Sequence, residues 1–146
     1  MYLLFDTETT GIPSDWKAPV TDLNNWPRLV QLAYILYDTK GNKLKEADYI
    51  IKPNGYLIPN NASSVHGITT EKALKEGKPL SEVLGQFDLL ARQAKYLIAH
   101  NMSFDEKIVG AEFLRLGMKN TLSSKKKICT MESSTDFCAI DSPLGY

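Results

Sequence analysis

Apolar residues gather into short runs separated by polar turns, and the period of the runs changes along the chain. Tyr2, Leu3, Leu4 and Phe5 form a first run with the length and character of a buried strand. A long loop from Ile12 to about Pro27 follows, interrupted by Pro13, Pro19 and Pro27 and carrying Trp16 and Trp26. Loops of that length inside a compact domain are usually functional or mobile. Leu29 to Tyr37 reads as an aliphatic-rich strand, Lys40-Gly41-Asn42 as a turn, and Lys43 to Ile51 as the returning strand of a hairpin that Pro53 ends. The period then lengthens. Thr69 or Thr70 followed by Glu71 opens a short helix, and Leu80, Val83, Leu84, Phe87, Leu90 and Ala91 stripe a longer one from Leu80 to Ala94. Tyr96 to Ala99 is a short buried strand, and Phe104 to Leu116 a second amphipathic helix ending near Gly117. Lys127 to Thr130 is a fifth strand with another helix after it. A hairpin followed by helix, strand, helix and strand predicts an α/β fold with a partly antiparallel sheet.

Composition narrows the class. With 146 residues, 43% of them hydrophobic, the chain is expected to form a single domain over 1–146 with its own core. Nothing in it resembles a membrane span or a signal peptide, because the apolar start meets Asp6 at once, so a cytoplasmic protein is expected. The 17 basic residues balance the 17 acidic ones, which leaves no broad basic surface to grip duplex DNA. Any contact with nucleic acid must be local. The one basic run, Ser123-Ser124-Lys125-Lys126-Lys127, either touches phosphate or, as is commoner, forms a solvated turn before a strand. Cys129 and Cys138, with His66 and His100, show no zinc-binding spacing and read as reduced, buried thiols.

Two stretches carry chemistry. In FDTETTG, residues 5–11, Asp6 and Glu8 are two positions apart and project from one face of a strand. Two carboxylates that close repel each other, and burying them unpaired is costly. A hard divalent cation relieves the conflict, while Gly11 allows a sharp turn and a close approach. An N-cap or turn cluster is the plainer alternative, since Asp and Thr also bond nearby amides. In LIAHNMSFD, residues 97–105, a strand runs into polar residues and a helix. Asp105 falls in the first helical turn, where the amides favour negative charge, and is expected to be ionised and ready for a cation. Only a folded sheet, with two like-oriented neighbouring strands, brings Asp105 beside Glu8.

Together, FDTETTG on a first strand and HNxxFD after a later one resemble the first and second motifs of the DEDD-type 3′–5′ exonucleases. The resemblance is strongest to the DEDDh branch that includes the proofreading, epsilon-like subunit of bacterial DNA polymerase III. Val65-His66-Gly67-Ile68-Thr69 is similar to a VHGIT stretch in the same enzymes, and the resemblance runs from Met1 to about Thr130. It implies an RNase H-like fold: a mixed five-stranded sheet, three strands forming the antiparallel side, helices on both faces. It also implies that Asp6, Glu8 and Asp105 are catalytic and ligate two divalent ions, Mg²⁺ or Mn²⁺. One ion would activate water and the other stabilise the departing 3′ oxygen. Thr7, Thr10 and Gly11 would line the terminal sugar and base, and Asn101 would order the turn that carries Asp105. His66 would contact the terminal nucleotide or be a hydrogen-bonded loop histidine; Phe104 would pack beside the nucleotide or enter the core.

The chain departs from that pattern in three places. The branch's third motif, H-x4-D on a late helix, is absent: five residues after His66 stands Glu71, and the His100 to Asp105 spacing lies inside the second motif. We therefore expect a C-terminally incomplete domain with weak metal binding and hydrolysis lowered on the order of 10²–10⁴-fold, the usual effect of losing a general base. Asn61 stands near where relatives carry a glutamate, and the loop bearing Trp16 and Trp26 is longer than the minimal pattern. That loop is expected to cover the sheet, the alternative being stacking on single-stranded bases. Three functions follow: an exonuclease on single-stranded DNA ends acting in proofreading or repair beside a polymerase catalytic subunit; an RNA-trimming enzyme of the oligoribonuclease or RNase T kind; or a non-catalytic nucleic-acid-binding or polymerase-docking domain.

Overall fold

The computed structural model describes residues 1–139 and contains a five-stranded sheet in the order β3-β2-β1-β4-β5. Strands β1 (Tyr2–Thr9), β2 (Leu29–Tyr37) and β3 (Lys43–Ile50) form the antiparallel side. Strands β4 (Tyr96–Ala99) and β5 (Lys126–Cys129) continue the sheet parallel to β1. Five helices join them: α1 (Asn60–His66), α2 (Thr70–Glu76), α3 (Leu80–Gln93), α4 (Met102–Arg115) and α5 (Thr130–Cys138). This is the mixed α/β architecture expected from the alternation of elements.

Alternation along β1 sorts its residues between the two sheet faces. Leu3, Phe5, Thr7 and Thr9 are buried, while Asp6 is exposed and Glu8 half-buried on the opposite face. Phe5 meets Phe87 of α3 edge-on at 5.3 Å, and Tyr34, the cross-strand partner of Phe5, lies 5.6 Å from the same ring. Helices α3 and α4 therefore cover the Phe5 face, in a core that also takes in Leu29, Leu32, Ile108, Phe113 and, from the long loop, Trp26. Each fully buried Leu or Phe there contributes about 1.5–3 kcal/mol. A second core, Val30, Ile58, Ala62, Ile68 and Ala73, packs α1 and α2 against Ile50. Ile50 pairs with Gln31, which faces Glu8, so these helices lie on the carboxylate side. Helices thus occur on both faces.

A bulge makes this division possible. The β1–β2 register slips between Glu8 and Thr9, so that Thr9 pairs with Leu29 while Glu8 pairs with Gln31. Val30 is the extra residue, and consecutive Leu29 and Val30 enter different cores.

Several boundaries differ from the sequence expectation. Helix α4 begins two residues earlier than Phe104, strand β5 spans Lys126–Cys129, and Ile51 leaves β3 for an isolated bridge to Lys78. Helix α1 was not expected, because in Asn60–His66 only Ala62 is buried and no apolar stripe marks it. Of the two cysteines expected to be buried, Cys129 is half-buried and Cys138 exposed; both are free thiols. The basic run leads from a turn at residues 123–125 into β5: Lys125 Nζ donates to the carbonyls of Arg92 and Ala94, closing the C-terminal end of α3, and Lys127, within the strand, pairs with Glu106 at 2.7 Å. Among the described residues no helix is long and apolar enough to cross a membrane.

Candidate active site

The parallel ladder between β1 and β4 stops at Leu4 and Ile98, three residues short of Thr7. Beyond that point the two strands part, and α4 starts in the gap. The amide of Thr7, with no β4 partner, donates to Asp105 Oδ1 at 3.1 Å, and its hydroxyl donates to the same atom at 2.6 Å. Asp105 itself is fixed by the first turn of α4, where the Asn101 carbonyl accepts from the amides of Phe104 and Asp105. The Asn101 side chain accepts from Ser103 rather than capping the helix, so its turn-ordering part belongs to its backbone.

Asp6 lies within electrostatic reach of both Glu8 and Asp105, and the three acids have unequal surroundings. Asp105 is 3% exposed, and burial pushes its pKa from 3.8 up to about 6, opposed by the Thr7 hydrogen bonds and reinforced by the charge of Asp6. The expectation of an ionised Asp105 thus fails near the usual carboxylate range: desolvation outweighs the favourable helix N-terminus. Glu8 is also raised, first by burial; the nearby His66 lowers it and Asp6 raises it again. Asp6 therefore acts on both other acids.

As donors, three oxygen-bearing acids, of which Asp6 raises the pKa of the other two, fit a hard divalent cation. Their arrangement does not close into a cage: among the described residues, no three His, Cys, Asp or Glu side chains lie close enough together to hold a metal ion.

The neighbouring residues named from the resemblance are held by specific partners. Thr7 is buried on the α4 face, opposite Asp6 and Glu8, and holds Asp105. Thr10 is tied to Arg28 in both directions, its amide donating to the Arg28 carbonyl and its hydroxyl accepting from the Arg28 amide, each at 3.0 Å. Gly11 has φ of +154°, a backbone conformation that side-chain-bearing residues rarely adopt, and its carbonyl accepts from the Thr9 hydroxyl at 2.6 Å. His66 ends α1; its Nδ1 accepts from the Ile68 amide at 3.1 Å, which leaves the proton on Nε2, a buried atom with no partner. Phe104 is half-buried against the main core and lies 5.6 Å from the ring of Trp16, which is 49% exposed. The loop's other tryptophan, Trp26, is only 2% exposed and covers the core as expected, its indole N–H donating to the Pro19 carbonyl. Asn61 is exposed in the first turn of α1.

Sequence reading missed Glu112. It lies two turns beyond Asp105 on the buried side of α4, is fully buried, and joins Arg28 at 2.8 Å and Arg115 at 3.0 Å while accepting from the Leu29 amide. A charged residue within an otherwise apolar helix stripe was the available signal. The cluster ties α4 to Arg28, and through Arg28 to the Thr10–Gly11 turn.

Solved structures of E. coli exonuclease I share this fold. Its complex with a 5cy-dA13 oligonucleotide superposes with a TM-score of 0.76 at 21% identity, over 94% of this chain and 30% of that one. The product-bound form gives 0.78 at 20% identity, over 99% and 35%, and a zinc-bound single-stranded DNA complex 0.77 at 21%, over 94% and 29%. The chain thus spans about a third of the length of these exonuclease I chains. No curated protein sequence matches it. The profile of the exonuclease family matches residues 3–138, nearly the whole chain, and the chain belongs to that family.

Proposed function

We propose that this chain is a metal-dependent 3′–5′ exonuclease domain acting on single-stranded DNA ends. What supports the reading is the place of Asp6 and Glu8 on one face of β1, together with Asp105, which stands in the first turn of the helix that follows the parallel neighbour strand and is bonded to Thr7 of β1. Family membership supports hydrolysis of nucleic acid, and the single-stranded oligonucleotides bound to the E. coli relative support the strand type.

Asp6 and Glu8 would hold a divalent ion, with Asp105 completing the set; such an ion supplies an activated water and charge stabilisation when bound. The chain's own residues do the rest. Thr7 orients Asp105 by two hydrogen bonds and holds down a pKa that burial drives up. His66, near Glu8, carries on Nε2 a proton that is buried and without a partner, one that a terminal nucleotide's oxygen would reach only by uncovering it. Phe104 and the exposed edge of Trp16 offer an aromatic surface beside the second motif, on which a base can stack. A place beside a DNA polymerase and a cytoplasmic setting extend the same reading.

One observation favours a second reading, a nucleic-acid-binding domain without catalysis: the three carboxylates do not close around a common point. A single experiment separates the two. A single-stranded DNA oligonucleotide labelled at its 5′ end, and its RNA twin, are incubated with Mn²⁺. The exonuclease reading expects a ladder of products shortened from the 3′ end, lost in Asp6→Asn, with DNA cut faster than RNA. Retained strand binding with no product from either substrate would leave the second reading standing.

A further inference from the structure

A cavity of about 620 Å³ opens beside the Arg28–Glu112–Arg115 cluster, away from the carboxylate face. Arg28, Lys52 and Arg115 line it, and among the described residues that line it there is no Asp or Glu. Glu112 is sealed behind this wall and compensates only one of the two guanidinium charges it touches. The surplus is positive and fixed in place. Arg28 lies 4.3 Å over the ring of Tyr56, whose hydroxyl is anchored on the Leu29 carbonyl, and Arg115 is held by the carbonyls of Leu23 and Trp26. The first turn of α3 reaches the same cavity through Leu80 and Ser81. That helix has no side-chain cap, and its earliest amide to find a helical partner is that of Glu82. Its leading amides and its dipole add to the attraction for an anion.

We propose that this cavity is a second, non-catalytic site for a nucleotide unit, with the phosphate on Lys52, Arg28 and the α3 N-terminus and the base against the apolar wall. The volume lies within the range of small-ligand sites. Preorganised, partly desolvated arginines are suited to phosphate, and Ile51, Pro53 and Leu116 make part of the lining apolar. The choice of a nucleotide, as against another phosphorylated ligand, rests on the nuclease reading; the positive charge of the cavity does not. The unit is either a free mononucleotide or part of a bound strand.

Isothermal titration of the full chain in EDTA tests this, with deoxyadenosine 5′-monophosphate, deoxyadenosine, inorganic phosphate and a short oligodeoxyadenylate as separate probes. The expected result is one site for the monophosphate, tighter than for the nucleoside or for phosphate alone. Lys52→Glu and Ser81→Glu, both at exposed positions, should each weaken it about tenfold or more, as expected for losing one charge-assisted contact. Asp6→Asn should leave it unchanged. Tighter binding of the oligonucleotide with the same sensitivities assigns the unit to a strand; weaker binding assigns it to a free mononucleotide. Equal affinity for monophosphate and nucleoside, equal affinity for monophosphate and inorganic phosphate, indifference to both charge reversals in folded variants, or loss in Asp6→Asn would each overturn the site. Cleavage by the unaltered chain with Mn²⁺ is measured in parallel. Product without this binding removes the cavity proposal alone, and binding without product removes the nuclease reading alone.

Discussion

Burial sets Asp105 against its own charge. Below its ordinary pKa of 3.8 the carboxyl is protonated in both the folded and unfolded chain; between that value and about 6 the unfolded chain ionises while the folded one keeps its proton. The contribution to stability is therefore fully present below about pH 4 and is lost as pH rises through about 6. Asp105→Asn keeps an acceptor for Thr7 and removes the charge. We expect it to be more stable than the parent by roughly 1–3 kcal/mol at pH 7.5 in EDTA, a shift of that size being worth about 1.4 kcal/mol per pH unit. Near pH 4 the difference should vanish. Urea unfolding at the two pH values checks this, and equal stabilities at both would remove the desolvation account. Thr7→Val takes away only the hydroxyl, which lowers the Asp105 pKa. Its rate profile should keep its shape while the acid limb moves to higher pH. At this scale the sequence yielded Asp6 and Glu8 from strand alternation and Asp105 from its helical turn. It did not yield the pairing of Thr7 with Asp105, because that bond exists only where β4 falls short of β1, a tertiary circumstance without a local pattern.

Between elements, close contact replaces pattern. The hairpin, β1, α3 and β4 were legible because their apolar periods match the faces they bury, and α1 was not, since its exposed Val65 and single buried Ala62 give no stripe. Gly77 shows why backbone approach is equally hidden. A Cβ there would lie 2.3 Å from the Ala73 carbonyl oxygen and 2.6 Å from the Lys52 amide nitrogen, although its φ of −72° suits any residue. Gly77→Ala must push the end of α2 off the Ile51–Lys78 bridge and should cost about 1–3 kcal/mol, as overpacking does. The buried ion cluster is a stronger tie. Glu112→Ala leaves two guanidinium groups facing each other and the Leu29 amide without its acceptor, so a loss of about 3–5 kcal/mol is expected. By contrast Glu46→Ala, which breaks an exposed pair with Lys43, should change stability by no more than about 0.5 kcal/mol. Chemical denaturation of the three variants beside the parent ranks them, and a Glu112→Ala value no larger than that of Glu46→Ala would show that α4 is not held through this cluster.

For the whole molecule, the placement of the acids divides stability from function. Both cores pack without any contribution from Asp6, which stands exposed, while Glu8 and Asp105 are partly or wholly desolvated close to it. Negative charge accumulates at the C-terminal end of β1, opposed locally by His66 alone among the causes that act on Glu8. A divalent cation bound there would favour the ionised acids and so reverse the penalty that burial imposes on the metal-free chain. Binding that is specific to the folded state raises its stability by RT ln(1 + [L]/Kd). Mn²⁺ should therefore raise the melting temperature, and by more at pH 7.5 than at pH 5, because at the lower pH the ion must compete with the proton on Asp105. EDTA should reverse the effect, and Asp6→Asn should abolish it while leaving the metal-free melting temperature close to that of the parent. Thermal melts of the two proteins at both pH values, with and without Mn²⁺, decide the matter independently of any cleavage assay. A melting temperature indifferent to Mn²⁺ at pH 7.5, or raised equally in Asp6→Asn, would mean that the three carboxylates do not serve as a metal site.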